Sequence, residues 1–185
     1  MSLAAYLLAC CIVGTVFPSV SAGQTSDESI NREYPLKALF LYNFGGYIDW
    51  PTDAFANKQS PFVIGVLGTA PIEATLKELA ASKTIAGRRI VVEHFDTVSD
   101  IRPCHILFIT RKISQQQQRM ALATLKNQHV LIVGESEGFA DQGGTVNFFI
   151  EANKVRFEIN PDAAKEQELK ISSKLLSLAK IVQGK

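Results

Sequence analysis

The chain has 185 residues, 46% of them hydrophobic, with 19 basic and 18 acidic side chains and a formal net charge of +1. That length suits one domain with a substantial core. The even charge balance removes any electrostatic case for nucleic acid or anionic lipid, and no basic block, repeat or membrane-length apolar run follows residue 22.

Met1 to Ala22, MSLAAYLLACCIVGTVFPSVSA, has no charged side chain. An apolar stretch from Leu3 to Phe17 leads to Pro18 and the small residues Val20-Ser21-Ala22, the pattern of a secretory signal peptide cut after Ala22. Its first residues lack Lys and Arg, so two other readings stay open: a retained membrane anchor, or a lipoprotein signal at Leu7-Leu8-Ala9-Cys10. Residues 23–185 then form a single exported domain. Cys10 and Cys11 leave with the leader, and Cys104 alone cannot close an internal disulfide. It sits in the apolar run CHILFIT and reads as a small buried hydrophobe rather than an intermolecular bridge.

Gly23 to Asn31 is polar and reads as a lead-in. From Arg32 to Trp50 apolar residues recur at helical spacing, and Trp50-Pro51 ends the helix because a residue before proline avoids the α region. This helix is rich in aromatics and apolar nearly all round, so it needs cover on more than one side. Pro61 to Leu67 is a continuous apolar run and reads as a buried strand. Pro71 to Ser82 is helical, Arg88 to Phe95 and Cys104 to Thr110 are strands, Ser114 caps a helix to Asn127, and His129 to Val133 is a fourth strand. The order β-α-β-β-α-β with buried strands predicts an α/β fold, a Rossmann-like mainly parallel sheet flanked by helices. Val146, Phe148 and Ile150, then Val155, Phe157 and Ile159, alternate with other residues around Glu151-Ala152-Asn153, which predicts a C-terminal β-hairpin. Asn160-Pro161-Asp162 opens a last helix by an N-cap and a proline at N1. Ile171, Leu175, Leu178 and Val182 extend that helix to about Val182 as one long apolar face.

Gly134-Glu135-Ser136-Glu137-Gly138 spells the G-x-S-x-G elbow of serine hydrolases. An elbow requires a helix under the serine, yet Gly143-Gly144 and a hairpin follow. His94, His105 and His129 all precede Ser136, and Glu135 and Glu137 oppose a nearby oxyanion. The stretch therefore reads as a turn, and no catalytic residue is assigned. The glycines do not make a phosphate loop, because no G-x-x-x-x-G-K-[ST] or G-x-G-x-x-G is present. The three histidines have no metal-ligand spacing and read as structural, although strand ends do converge in space; no metal or cofactor is assigned. Lys154, Arg156 and Glu158 share one face of the hairpin. They are either same-face charge pairs or a recognition surface.

Several stretches together resemble the YfiR family: KALFLYNFGGYIDWP, FVIGVLG, AGRRIVV, CHILFI, VGESEGFADQGGTVNFF, NKVRFEIN and LKISSKLLSLAKIV. The positions matching its signature are Asn43, Trp50, Pro51, Glu135, Gly138, Phe139, Gly144, Asn147, Arg156, Phe157 and Asn160. The resemblance implies a periplasmic regulator, often dimeric, that represses a membrane-bound diguanylate cyclase and is itself sequestered by an outer-membrane lipoprotein. It also implies intrachain disulfides; Cys104 matches one such cysteine and has no partner in the mature chain. The expected mode of action is protein binding through the aromatic first helix, the hairpin face and the last helix, with Trp50, Asn147, Arg156, Glu158 and Lys174 as partner-binding candidates. The alternative is a small-ligand sensor whose crevice is lined by the loops after Leu67, Thr110 and Val133.

Overall fold

The computed structural model describes residues 24–183, so the leader segment Met1 to Ala22 lies outside the described residues. Helix α1 spans Gln24–Tyr47 and takes in the segment expected as a polar lead-in. Tyr34, Lys37, Ala38, Leu41 and Phe44 recur every three or four residues and are its buried face. On the opposite side Leu36 and Leu39 stand exposed. The helix stops at Tyr47 rather than Trp50, because Ile48–Asp49, strand β1, pairs backwards with Ile171 and Lys170.

Strand β2, Phe62–Leu67, is followed by helix α2, Ile72–Ser82, and by a tight hairpin of β3, Thr84–Ile85, and β4, Arg88–Phe95. Ala86 and Gly87 both take positive φ at its turn, the geometry that two-residue hairpin loops require. Then come β5, Ile106–Ile109; α3, Gln115–Thr124; and β6, Leu131–Gly134. Ser114 caps α3 and forms a capping box with Gln117, as its position before the polar run suggests. Strands β7, Val146–Glu151, and β8, Lys154–Ile159, make the expected hairpin, with Ala152 and Asn153 at positive φ in its turn.

The strands β4-β2-β5-β6-β7 run parallel in that spatial order. Numbered among themselves along the chain they read 2-1-3-4-5, a doubly wound arrangement. The sheet is mainly parallel, and β8 continues it antiparallel to β7. Every residue of β5 and β6 is buried, which is why these strands are continuously apolar and do not alternate. Even-numbered side chains of β2 and β5 (Phe62, Ile64, Ile106, Phe108) join a core with α1 and α2. The other face (Leu67, Leu107, Ile109 and Ile132) packs with α3 and Phe139. Cys104 is in this second core, where burial, helped by the charge of Glu93, pushes its thiol up to about 12.

The C-terminal segment corrects the sequence reading. Among the described residues there is no long terminal helix. Asn160 accepts from the N–H groups of Asp162 and Ala163 and starts α4 as expected, but α4 is only Pro161–Glu166. Glu168 then takes a φ of 55° and turns the chain. Lys170–Ile171 forms β9 against β1, Ser172 caps the one-turn helix α5, Ser173–Leu176, and Lys180–Ile181 forms β10 alongside β8. The helical spacing of Ile171, Leu175, Leu178 and Val182 is thus accidental: Leu175 is buried, while Leu178 is exposed.

Candidate functional site

In a doubly wound sheet the ligand crevice lies beyond the carboxyl ends of the strands, where the winding direction reverses. Here that place is between β2 and β5. Arg111 follows β5, Glu135 follows β6, and the middle of α1 brings Glu33, Tyr34 and Lys37 to meet them. Glu135 accepts from the Arg111 backbone N–H at 2.9 Å, from the Arg111 guanidinium at 3.1 Å, from the Tyr34 hydroxyl at 3.3 Å, and from the Lys37 ammonium. Lys37 and Arg111 also bind Glu33. The Glu135 side chain is 0% exposed and that of Lys37 is 1% exposed, while the Arg111 side chain is half-exposed. Lys37 Nζ further lies 5.1 Å from the Tyr34 ring centre, within cation–π range.

Two positive and two negative side chains form this group, so their formal charges cancel. Burial pushes the Tyr34 hydroxyl up to about 12, with the Glu135 charge adding to it, so it remains a donor. Burial works against ionised Glu33, but Lys37 and Arg111 outweigh it and hold that carboxyl below its ordinary 4.5. Burial likewise disfavours the Arg111 charge, and Glu135 and Glu33 more than restore it. These groups satisfy one another. Chemically the arrangement fastens α1 across the ends of β5 and β6.

Two open clefts lie elsewhere, on either side of Trp50-Pro51. The first, about 400 Å³, is lined by residues including Asp49, Lys165, Glu168 and Lys170. The second, about 520 Å³, is lined by residues including Phe55, Lys58, Phe62 and Arg88. The Trp50 ring stands edge-on to Phe62 at 5.0 Å, and its Nε1 is buried with no hydrogen-bond partner among the described residues. Arg88 organises the second cleft by donating to the carbonyls of Asn57, Lys58 and Ser60 while stacking on Phe55.

The residues singled out from sequence are dispersed. Asn147 and Glu158 meet across the β7–β8 pair at 3.1 Å, and both are buried. Arg156 is exposed near the hairpin turn, 3.9 Å from Glu151. Lys174 lies over the Tyr47 ring, and Trp50 is between the clefts. The structure thus brings together Asn147 and Glu158 and separates the others. The charge group was missed. Its sequence signal is Lys37, a lone cation on the buried side of an otherwise apolar helical stretch.

After β6 the chain makes a run of turns and no helix, so Gly134 to Gly138 lacks the support of a nucleophile elbow. The Ser136 hydroxyl accepts from Gln118 Nε2 at 2.9 Å. Ser136→Ala should leave stability within about 1 kcal/mol of the parent and biological function unchanged, read by thermal melting and complementation. The histidines are structural in placement. His105 receives the Val63 N–H on Nδ1, faces the Ala54 carbonyl with Nε2, and stacks on Phe55; burial lowers its pKa. His94 lies between Asp96 and Glu73, which raise its pKa. His129 faces the Gln167 carbonyl at 3.2 Å.

A family model described as YfiR/HmsC-like matches residues 34–180. No curated protein matches. Among solved structures, the chain is similar to an ABC domain from Streptococcus pneumonia crystallised in complex with L-Trp. Identity is 11% and the TM-score 0.47, over 65% of this chain and 55% of that one, so the chain spans about half the length of that relative.

Proposed function

The chain belongs to the YfiR/HmsC-like family, and on that footing we propose that it is a non-catalytic periplasmic regulator. It binds the periplasmic part of a membrane signalling protein, a diguanylate cyclase, and holds back cyclic-di-GMP synthesis. One observation supports this reading: the polar side chains at the carboxyl ends of β5 and β6, Arg111 and Glu135, are spent on ion pairs with Glu33 and Lys37 of α1. What is left to act is the outer surface. The regulator favours the inactive arrangement of its target by binding that state better, and an outer-membrane lipoprotein relieves repression by taking the regulator away.

A strain lacking the gene is expected to contain more cyclic-di-GMP than its parent, measured in cell extracts. An unchanged level removes the cyclase as target. The two clefts beside Trp50 favour a second reading, a small-ligand sensor. A thermal shift with a panel of metabolites separates the two.

A further inference from the structure

The hairpin extends past its neighbours on both sides. Strand β7 is paired to β6 only at Val146 and Asn147, and β8 to β10 only at Glu158 and Ile159. Beyond those residues, Phe149–Glu151 and Lys154–Arg156 form an arm that has no strand on either outer edge among the described residues. The register fixes which backbone groups point outward. The turn is two residues long, so Glu151 and Lys154 exchange hydrogen bonds across the hairpin, as do Phe149 and Arg156. Val155 therefore turns its N–H and C=O away from β7. Ile159, of the same parity, does turn outward: its carbonyl accepts the Val182 N–H at 2.9 Å. The outer side of β8 thus already takes a strand at its base and offers unused groups farther out.

The two faces of the arm differ in chemistry. Ile150 and Val155 share the face that carries Phe148 and Phe157, and Ile150 is 51% exposed. Leu36, also exposed, is one helical turn from Phe40, which packs on both of those rings. The other face carries Lys154, Arg156 and, from β10, Lys180; the Arg156 and Lys180 side chains are largely exposed, and Glu151 is the exposed carboxylate among them.

We propose that the outer edge of β8 at Val155 is a docking strand for an extended segment of another envelope protein, with apolar residues on one face and carboxylates on the other. Main-chain hydrogen bonds would supply affinity and the alternating faces specificity. A second copy of this chain is the wrong occupant. Antiparallel pairing of two β8 edges about Val155 would set Arg156 opposite Lys154 of the copy on one face, and like charges in that position repel. The inference does not depend on the partner being a cyclase.

The test uses the purified exported protein and two short fluorescein-labelled peptides, one alternating glutamate with valine and one alternating lysine with valine, read by anisotropy at low salt. The glutamate peptide should bind and the lysine peptide should not. Val155→Pro removes the outward donor without touching the β7 ladder, and Arg156→Glu reverses an exposed charge; each should weaken binding about tenfold. Circular dichroism checks folding, and if the proline variant is unfolded, Arg156→Glu decides. Equal binding of both peptides, no binding of either, or binding that Arg156→Glu leaves unchanged overturns the proposal. A dimer seen by light scattering that Val155→Pro dissolves also overturns it, because the edge would then belong to a second copy.

Discussion

Replacing Lys37 with alanine is expected to destabilise the protein by about 3–5 kcal/mol, the usual loss when one member of a buried ion pair is removed and the other is left uncompensated. For a chain of this size that corresponds to a fall in Tm of roughly 6–20 °C. The cost arises because Glu135 is fully enclosed and cannot recover water in place of the ammonium, while the partly exposed Glu33 keeps Arg111 as a partner. Glu135→Ala should cost as much, since it leaves the Arg111 N–H and the Tyr34 hydroxyl without their acceptor. The pair Lys37→Met with Glu135→Gln should lose clearly less than the two single changes added together, because both buried charges go at once. A Lys37→Ala protein as stable as its parent would mean that α1 is not fastened here. Acid acts on the same fastening. The folded pKa of Glu33 is depressed, so its contribution is present above the ordinary carboxylate range and is lost as pH falls through the folded value. Chemical denaturation at neutral and acid pH reads that loss.

Phe139→Ala is the other large effect, about 3–5 kcal/mol by the usual cost of emptying a buried aromatic site. Phe139 is almost wholly enclosed and ties the loop between β6 and β7 to the second core. Its ring occupies space that only glycines leave open: a Cβ on Gly134 would stand 2.3 Å from the ring, and one on Gly144 2.2 Å. Gly144→Ala alone therefore forces Phe139 to move. With Phe139→Ala in the same chain much of that clash disappears, and the double variant should lose less than the sum of the two singles. Denaturant midpoints of the four proteins measure the coupling. Strict additivity would show that the ring and the glycines are not in contact.

These two features were not equally readable. The strands β2, β5 and β6 announce themselves as apolar runs because a parallel sheet is buried on both faces, and Ser114 and Asn160 mark their helices by side chains that can cap. The terminal segment misleads for a physical reason. Spacing of four, three and four residues tells only that side chains could share a face, and it is silent about Lys170–Ile171 finding a backbone partner in β1. Gln167 was equally silent. It is buried, donates to the Leu125 carbonyl and receives the N–H groups of Gln128 and Val130, contacts that depend on a chain reversal far away in sequence. The ion group has the same origin. Glu33 and Lys37 are one helical turn apart and could be paired by eye, but Arg111 and Glu135 join them only once β5 and β6 lie side by side. In sequence Glu135 and Glu137 signal only repulsion of anions, whereas in the fold Glu135 spends its charge inward.

Trp50 is the single tryptophan of the chain. Because its indole is wedged between both clefts with the ring nitrogen shut away from water, intrinsic emission from this protein is a local gauge rather than an average over many sites. Anything that settles in either hollow changes the surroundings of that one fluorophore, so occupancy can be followed by spectroscopy on the unlabelled molecule.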